Sequence, residues 1–127
     1  MPKTVLIVED VQDISKILSL RLDMYGYSYV LASNGREGLA RMREEKPDLV
    51  LLDIRMPDFN GFDLLNVMLA DDEICHIPVI MCTASAEADT EARCLEMGAK
   101  FYITKPFDHV YLRTCIDSCI GPPEGEK

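Results

Sequence analysis

Five side chains of this 127-residue sequence stand where chemistry can happen: Glu9, Asp10, Asp53, Thr83 and Lys105. Each lies at the end of a short apolar run. Glu9 and Asp10 follow Thr4-Val-Leu-Ile-Val8, and Asp53 follows Leu49-Val-Leu-Leu52. Thr83 closes Ile77-Pro-Val-Ile-Met-Cys82, and Lys105 follows the run over residues 100–104. Three carboxylates brought together repel, so at least one is expected to hold its proton unless a cation joins them. Mg²⁺ suits a few carboxylates combined with water and phosphate oxygens. A carboxylate can also attack phosphorus and form an aspartyl phosphate. The phosphoryl oxygens then need counter-charge and hydrogen-bond donors, which Lys105 and Thr83 supply. The set points to phosphoryl transfer onto Asp53, with Mg²⁺ held by Glu9 and Asp10. Taken singly, each residue has a plainer explanation, because an acid at a strand end commonly caps a turn or a helix. Five together at strand ends make coincidence a poor account.

The elements that must position them read as β-α repeated five times. A short apolar run bounded by turn residues is the pattern of a strand buried on both faces. The first strand covers Thr4–Val8. A helix over residues 11–25 follows, with Val11, Ile14, Leu18, Leu22 and Tyr25 in one stripe and Gly26 as its stop. A strand at Ser28–Ala32 precedes a helix capped by Asn34 and stopped by Pro47. The Asp53 strand is third, and Pro57, Asp58, Asn60 and Gly61 supply turn chemistry after it. The next helix, Gly61–Leu69, places Phe62, Leu65, Met68 and Leu69 on one side. Residues 77–82 form the fourth strand, with Pro78 near its start because proline cannot donate to a ladder. Residues 85–97 form a helix with a thin apolar face of Ala88, Ala92 and Leu95, ended by Gly98. Residues 100–104 form the fifth strand, and residues 108–120 the last helix, with Leu112, Ile116 and Ile120 inward. Such alternation predicts an α/β domain with a doubly wound parallel sheet. Ligands then bind at the carboxyl ends of the strands, where the five polar residues fall.

Composition narrows the function classes. The apolar fraction of 48% is that of a globular domain, and the length suits one domain over residues 1–120. Residues 121–127, rich in Gly, Pro and Glu, read as a tail or linker. A net charge of −9 argues against nucleic-acid binding by this domain, since phosphate backbones call for clustered Lys and Arg. No apolar run approaches the length of a membrane span, and the N-terminus lacks a signal-peptide layout. Five cysteines, with no C-x-x-C pair, fit a reduced, cytoplasmic setting. Cys115 and Cys119 are spaced i, i+4, but they flank an apolar stripe and are better taken as small buried hydrophobes than as metal ligands.

The motifs together resemble response-regulator receiver domains of two-component signalling. The residues that carry the likeness are Val8-Glu9-Asp10, Leu51-Leu-Asp53-Ile-Arg-Met-Pro-Asp58 with Gly61, Pro78-Val-Ile-Met-Cys-Thr83-Ala84, Gly98-Ala99 and Lys105-Pro106-Phe107. The resemblance spans roughly residues 3 to 120. It implies a flavodoxin-like (βα)5 fold with strand order 2-1-3-4-5. It implies that Asp53 accepts a phosphoryl group from a histidine kinase or phosphotransfer protein. It implies Mg²⁺ ligation by Asp10, Asp53 and the backbone carbonyl of Arg55, with Glu9 acting through water. Thr83 and Tyr102 match the family's switch pair, Lys105 its lysine, and the Lys105-Pro106 bond is expected to be cis. Arg55 and Ser85 match the positions that govern the lifetime of the phosphate. The output would be a changed face formed by the fourth helix, fifth strand and fifth helix, read by an output domain or partner, with room for a phosphorylation-dependent homodimer. Such a protein is a switch and catalyses nothing beyond its own phosphorylation and dephosphorylation.

There are departures. Lys100 and Phe101 stand where many DNA-binding members carry acidic residues, and the last helix has few charges, Arg113 and Asp117. Two other classes compete. A Mg²⁺-dependent phosphohydrolase with an aspartyl nucleophile usually needs a second acid two residues on, and Arg55 occupies that place. A flavodoxin-like cofactor binder needs a Ser/Thr/Gly-rich phosphate loop after the first strand, where Glu9-Asp10-Val-Gln-Asp13 has the wrong charge.

Overall fold

A computed structural model of the chain describes residues 3–56, 60–84 and 88–121. Its elements alternate as expected: β1 (Thr4–Val8), α1 (Gln12–Tyr25), β2 (Ser28–Ala32), α2 (Gly35–Glu45), β3 (Leu49–Leu52), α3 (Gly61–Leu69), β4 (Val79–Thr83), α4 (Ala88–Glu96), β5 (Phe101–Thr104) and α5 (His109–Ile120). The five strands form one parallel sheet in the order β2-β1-β3-β4-β5. All four residues of β3 are buried, because this central strand has helices over both faces.

Side chains alternate across a strand, so the sheet sorts its apolar residues into two cores. Val5, Ile7, Leu49, Leu51, Ile80, Cys82 and Ile103 face α1 and α5, meeting Leu18, Leu22, Leu112, Cys115 and Ile116. Leu6, Val8, Val50, Leu52, Val79, Met81 and Tyr102 face α2, α3 and α4, meeting Met42, Leu64, Leu65, Met68 and Cys94. A slip of one residue in any strand would exchange the two sets, which is why the register is firmly set.

Local chemistry fixes the helix ends. Asn34 accepts from the Glu37 N–H, Asn60 from the Asp63 N–H, and Asp108 from the Val110 and Tyr111 N–H groups. Gly26 ends α1 with φ 91°, a left-handed turn that a Cβ would strain. The end of α5 is tied down as well. The buried Tyr27 hydroxyl contacts the Asp117 carboxylate and lies 2.9 Å from the Gly121 carbonyl, and Lys3 Nζ donates to the Ile120 carbonyl.

Three sequence expectations need correction. Val11 does not belong to the buried stripe of α1; it is the N-cap residue and 45% exposed. In α3 the inward set is Leu64, Leu65 and Met68, while Phe62 is half-buried and Leu69 exposed. In α4, Ala92 and Leu95 face solvent and Cys94 is the fully buried residue. The helix is rotated from the expected face, because one cysteine at the right angle packs against β4 and β5 better than the more hydrophobic leucine beside it. The expected first turn at residues 85–87, the Ser85 site and the Pro57-Asp58 turn lie outside the described residues. The tail from residue 122 onward does too.

Candidate functional site

The site lies where the order of the sheet reverses. From β1 the chain goes to β2 on one side and, by way of α2, to β3 on the other. The helices that follow β1 and β3 therefore lie on opposite faces and leave a crevice at the carboxyl ends of these two strands. Backbone hydrogen bonds carry the ladder one residue past each strand and fix the reactive positions. The Glu9 N–H donates to the Ala32 carbonyl at 3.0 Å, the Asp53 N–H to Val8 at 3.1 Å, and the Lys105 N–H to Thr83 at 2.8 Å.

These anchors bring the charged groups into contact. Carboxylate oxygens of Glu9, Asp10 and Asp53 lie within 4.8 Å of one another. Glu9 and Asp53 are buried, whereas Asp10 faces solvent at the rim. Lys105 Nζ donates to Glu9 Oε1 and, at 3.3 Å, to Asp53 Oδ2. The Val11 N–H reaches Glu9 Oε2 at 3.3 Å, and the Arg55 N–H reaches Asp53 Oδ1 at 3.4 Å. Thr83 is fully buried at the end of β4. The Lys105-Pro106 peptide bond is cis, as the resemblance implies.

Electrostatics follow from this crowding. Burial, and then the Asp53 charge, push the Glu9 carboxyl up to about 7, against the pull of Lys105. Burial works to lower the Lys105 ammonium, but its contacts with Glu9 and Asp53 outweigh that and hold it above the usual lysine range. One ammonium thus serves two buried acids, and the cluster carries a net deficit of positive charge. Receiver-type acidic pockets bind Mg²⁺, and three convergent carboxylate oxygens, one at the rim, are a donor set of the right hardness for that ion.

The structure brings together Glu9, Asp10, Asp53 and Lys105, with Thr83 at the end of the strand beside β3. Arg55 is exposed, two residues beyond Asp53. Tyr102 is not in the cleft. It pairs with Met81 in the β4–β5 register, on the same face as Thr83, and is buried beside α4 in the core that contains Cys94 and Ala99. One residue carries more than the sequence reading assigned to it. Gly61 is more than a turn residue, because a Cβ there would stand 2.7 Å from the Asp53 carbonyl oxygen and 2.8 Å from Ile54 Cα. The signal available was a glycine opening a helix directly after a turn.

Removing the ammonium tests the electrostatic account. Lys105→Met keeps the length of the stem and leaves Glu9 and Asp53 without their cation. An unpaired charged group in a buried site costs on the order of 1–3 kcal/mol, limited here because Glu9 can take a proton. The variant should denature at lower urea than wild type, and added Mg²⁺ should recover more stability in the variant than in wild type. Equal Mg²⁺ responses would show that Lys105 does not serve as the resident counter-charge.

The α/β domain thus carries an acidic crevice at its switch point, with one lysine bridging two of the acids. The profile of the response regulator receiver domain matches residues 5–117, and the chain belongs to that family. It is the receiver domain of a two-component response regulator. The polar-differentiation response regulator DivK of Brucella anthropi is 38% identical over 121 residues, covering 95% of this chain and 98% of that protein. The phosphate regulon transcriptional regulatory protein PhoB of Pseudomonas aeruginosa is 41% identical over 105 residues, covering 83% of this chain and 46% of PhoB. Among solved structures, a CheY-like response regulator receiver domain protein of Methanospirillum hungatei superposes with a TM-score of 0.85 at 31% identity, covering 93% of each chain. Receiver domains of this family are signalling switches that work with histidine kinases and output domains.

Proposed function

We propose that Asp53 is the phosphoacceptor of this receiver and that the cleft works as a Mg²⁺-dependent phosphoryl switch. One observation carries the reading: Lys105 bridges Asp53 and Glu9 within a cluster of three carboxylates at the switch point. A carboxylate oxygen of Asp53 attacks the phosphorus of a phosphohistidine on the kinase or phosphotransfer protein. The new P–O bond forms as the P–N bond breaks, and the electron pair leaves with the imidazole nitrogen, which takes a proton. Asp10, Asp53 and the Arg55 carbonyl, with Glu9 through water, are the proposed ligands of Mg²⁺, which supplies positive charge to the phosphoryl oxygens. Lys105 turns its ammonium to a phosphoryl oxygen, and the Thr83 hydroxyl donates to another. Arg55 at the cleft mouth influences the access of water to the acyl phosphate. The Thr83 shift is felt by Tyr102 on the neighbouring strand and alters the α4–β5–α5 face, through which an output domain or partner reads the state. The reading includes a cytoplasmic setting; no described helix is long and apolar enough to cross a membrane.

The test uses acetyl phosphate as the donor and intact mass as the readout. With Mg²⁺ the protein should gain one phosphoryl group, and with EDTA in place of Mg²⁺ the gain should fall at least tenfold, following the loss of the metal's charge stabilisation. Equal labelling in both conditions would overturn the metal-dependent mechanism.

A further inference from the structure

Helix α4 is held to the domain by few contacts. Among its described residues Cys94 alone is fully buried, while Glu91, Ala92, Leu95 and Glu96 face solvent. A second attachment lies one residue away. The Arg93 guanidinium carbon stands 4.0 Å from the centre of the Phe62 ring, over its face, and so spans α4 and α3. Phe62 is half-buried against the core and directly follows Gly61, which packs on the backbone of Asp53 and Ile54. The Gly61 N–H also donates to the Ile54 carbonyl at 2.7 Å. A rigid connection thus runs from the backbone of Asp53 through Gly61 to the ring on which Arg93 rests.

We propose that the Arg93–Phe62 stack is a clasp that holds α4 against α3 in the phosphate-free state and so sets how readily the domain reaches its phosphorylated conformation. This rests on the phosphoacceptor reading for its second half; the clasp itself does not. An exposed cation–π contact shifts a local equilibrium about two- to fivefold. That is large for an element with one buried anchor among its described residues, and small enough for a local event at Asp53 to overcome. The helix is among the elements expected to open at low free-energy cost, having few buried contacts. A ligand that favours the open position gains apparent affinity by whatever fraction the clasp had withheld.

The experiment compares wild type, Arg93→Gln, Phe62→Leu, the double variant and Phe62→Tyr. Amide exchange over residues 88–97 is measured first without any phosphate analogue. Each single variant should exchange about two- to fivefold faster, the double no faster than either single, and Phe62→Tyr like wild type. Unchanged exchange in both singles, or additive effects in the double, would overturn the clasp. Beryllofluoride with Mg²⁺ is then titrated into the same proteins by NMR. Arg93→Gln should bind it two- to fivefold more tightly, and equal affinity would overturn the coupling. If wild type does not bind beryllofluoride at all, the phosphoacceptor reading falls, while the exchange comparison still decides the clasp.

Discussion

Asp53→Asn should abolish phosphorylation by acetyl phosphate while leaving the domain folded. The amide is nearly the shape of the carboxylate, so the cavity at the end of β3 stays filled. It offers no anionic oxygen to attack phosphorus, and no acyl phosphate can form on it. The substitution also removes one of three crowded negative charges. Asp53 is one of the groups that push Glu9 up, so its loss lets Glu9 fall back and strengthens the remaining pair with Lys105. Denaturant unfolding should therefore show little loss of stability, and intact mass should show no added phosphoryl group with Mg²⁺ present. Labelling that persists in this variant would move the acceptor to another residue.

Gly61→Ala should be the most damaging small substitution near the site. The new methyl would meet the Asp53 carbonyl oxygen at 2.7 Å and Ile54 Cα at 2.8 Å, both backbone atoms, with the Met81 methyl at 3.2 Å. A flexible side chain can turn away from such a contact, but backbone at the end of a central strand cannot. Overpacking of this kind costs about 1–3 kcal/mol. If the loop yields instead, Asp53 moves with it and phosphorylation slows. The urea midpoint and the labelling rate should therefore not both match wild type. A variant matching wild type in both would show that the Gly61 contact is slack.

Much of this molecule can be read from its sequence. The strands could be found because a strand covered on both faces leaves an unbroken apolar run, as Leu49–Leu52 does. Asn34 caps α2 as its place in the sequence suggests, its side chain accepting the Glu37 N–H. Asn60 and Asp108 cap α3 and α5 in the same way, although the sequence reading took Asn60 only as a turn residue and Asp108 only as the start of a helix. Other features depend on angles and distances that spacing does not encode. Hydrophobic pattern misplaces the inward face of α4, because Ala92 and Leu95 outweigh Cys94 in it while the orientation is set by packing on β4 and β5. Lys105 was expected at the cleft as counter-charge for a phosphoryl group. That it bridges Glu9 and Asp53 in the resting domain follows from where strands β1, β3 and β5 end in space. The reason for Gly61 lies in a contact with backbone it does not adjoin in sequence.

The fastening of α5 has a meaning for protein architecture. Lys3 and Tyr27 precede β1 and β2, so the end of α5 is pinned at the amino edge of a parallel sheet, a strand length of roughly 17 Å from the carboxyl edge. Whatever is joined beyond residue 121 is attached to the quiet pole of the domain. Cargo can be exchanged there as freight is coupled to a locomotive, without disturbing the engine. On the proposed function, the same arrangement makes the peptide joint a poor wire, and the message leaves across the domain's flank. In evolution, a recombination point at that pole would let one receiver serve many unrelated outputs.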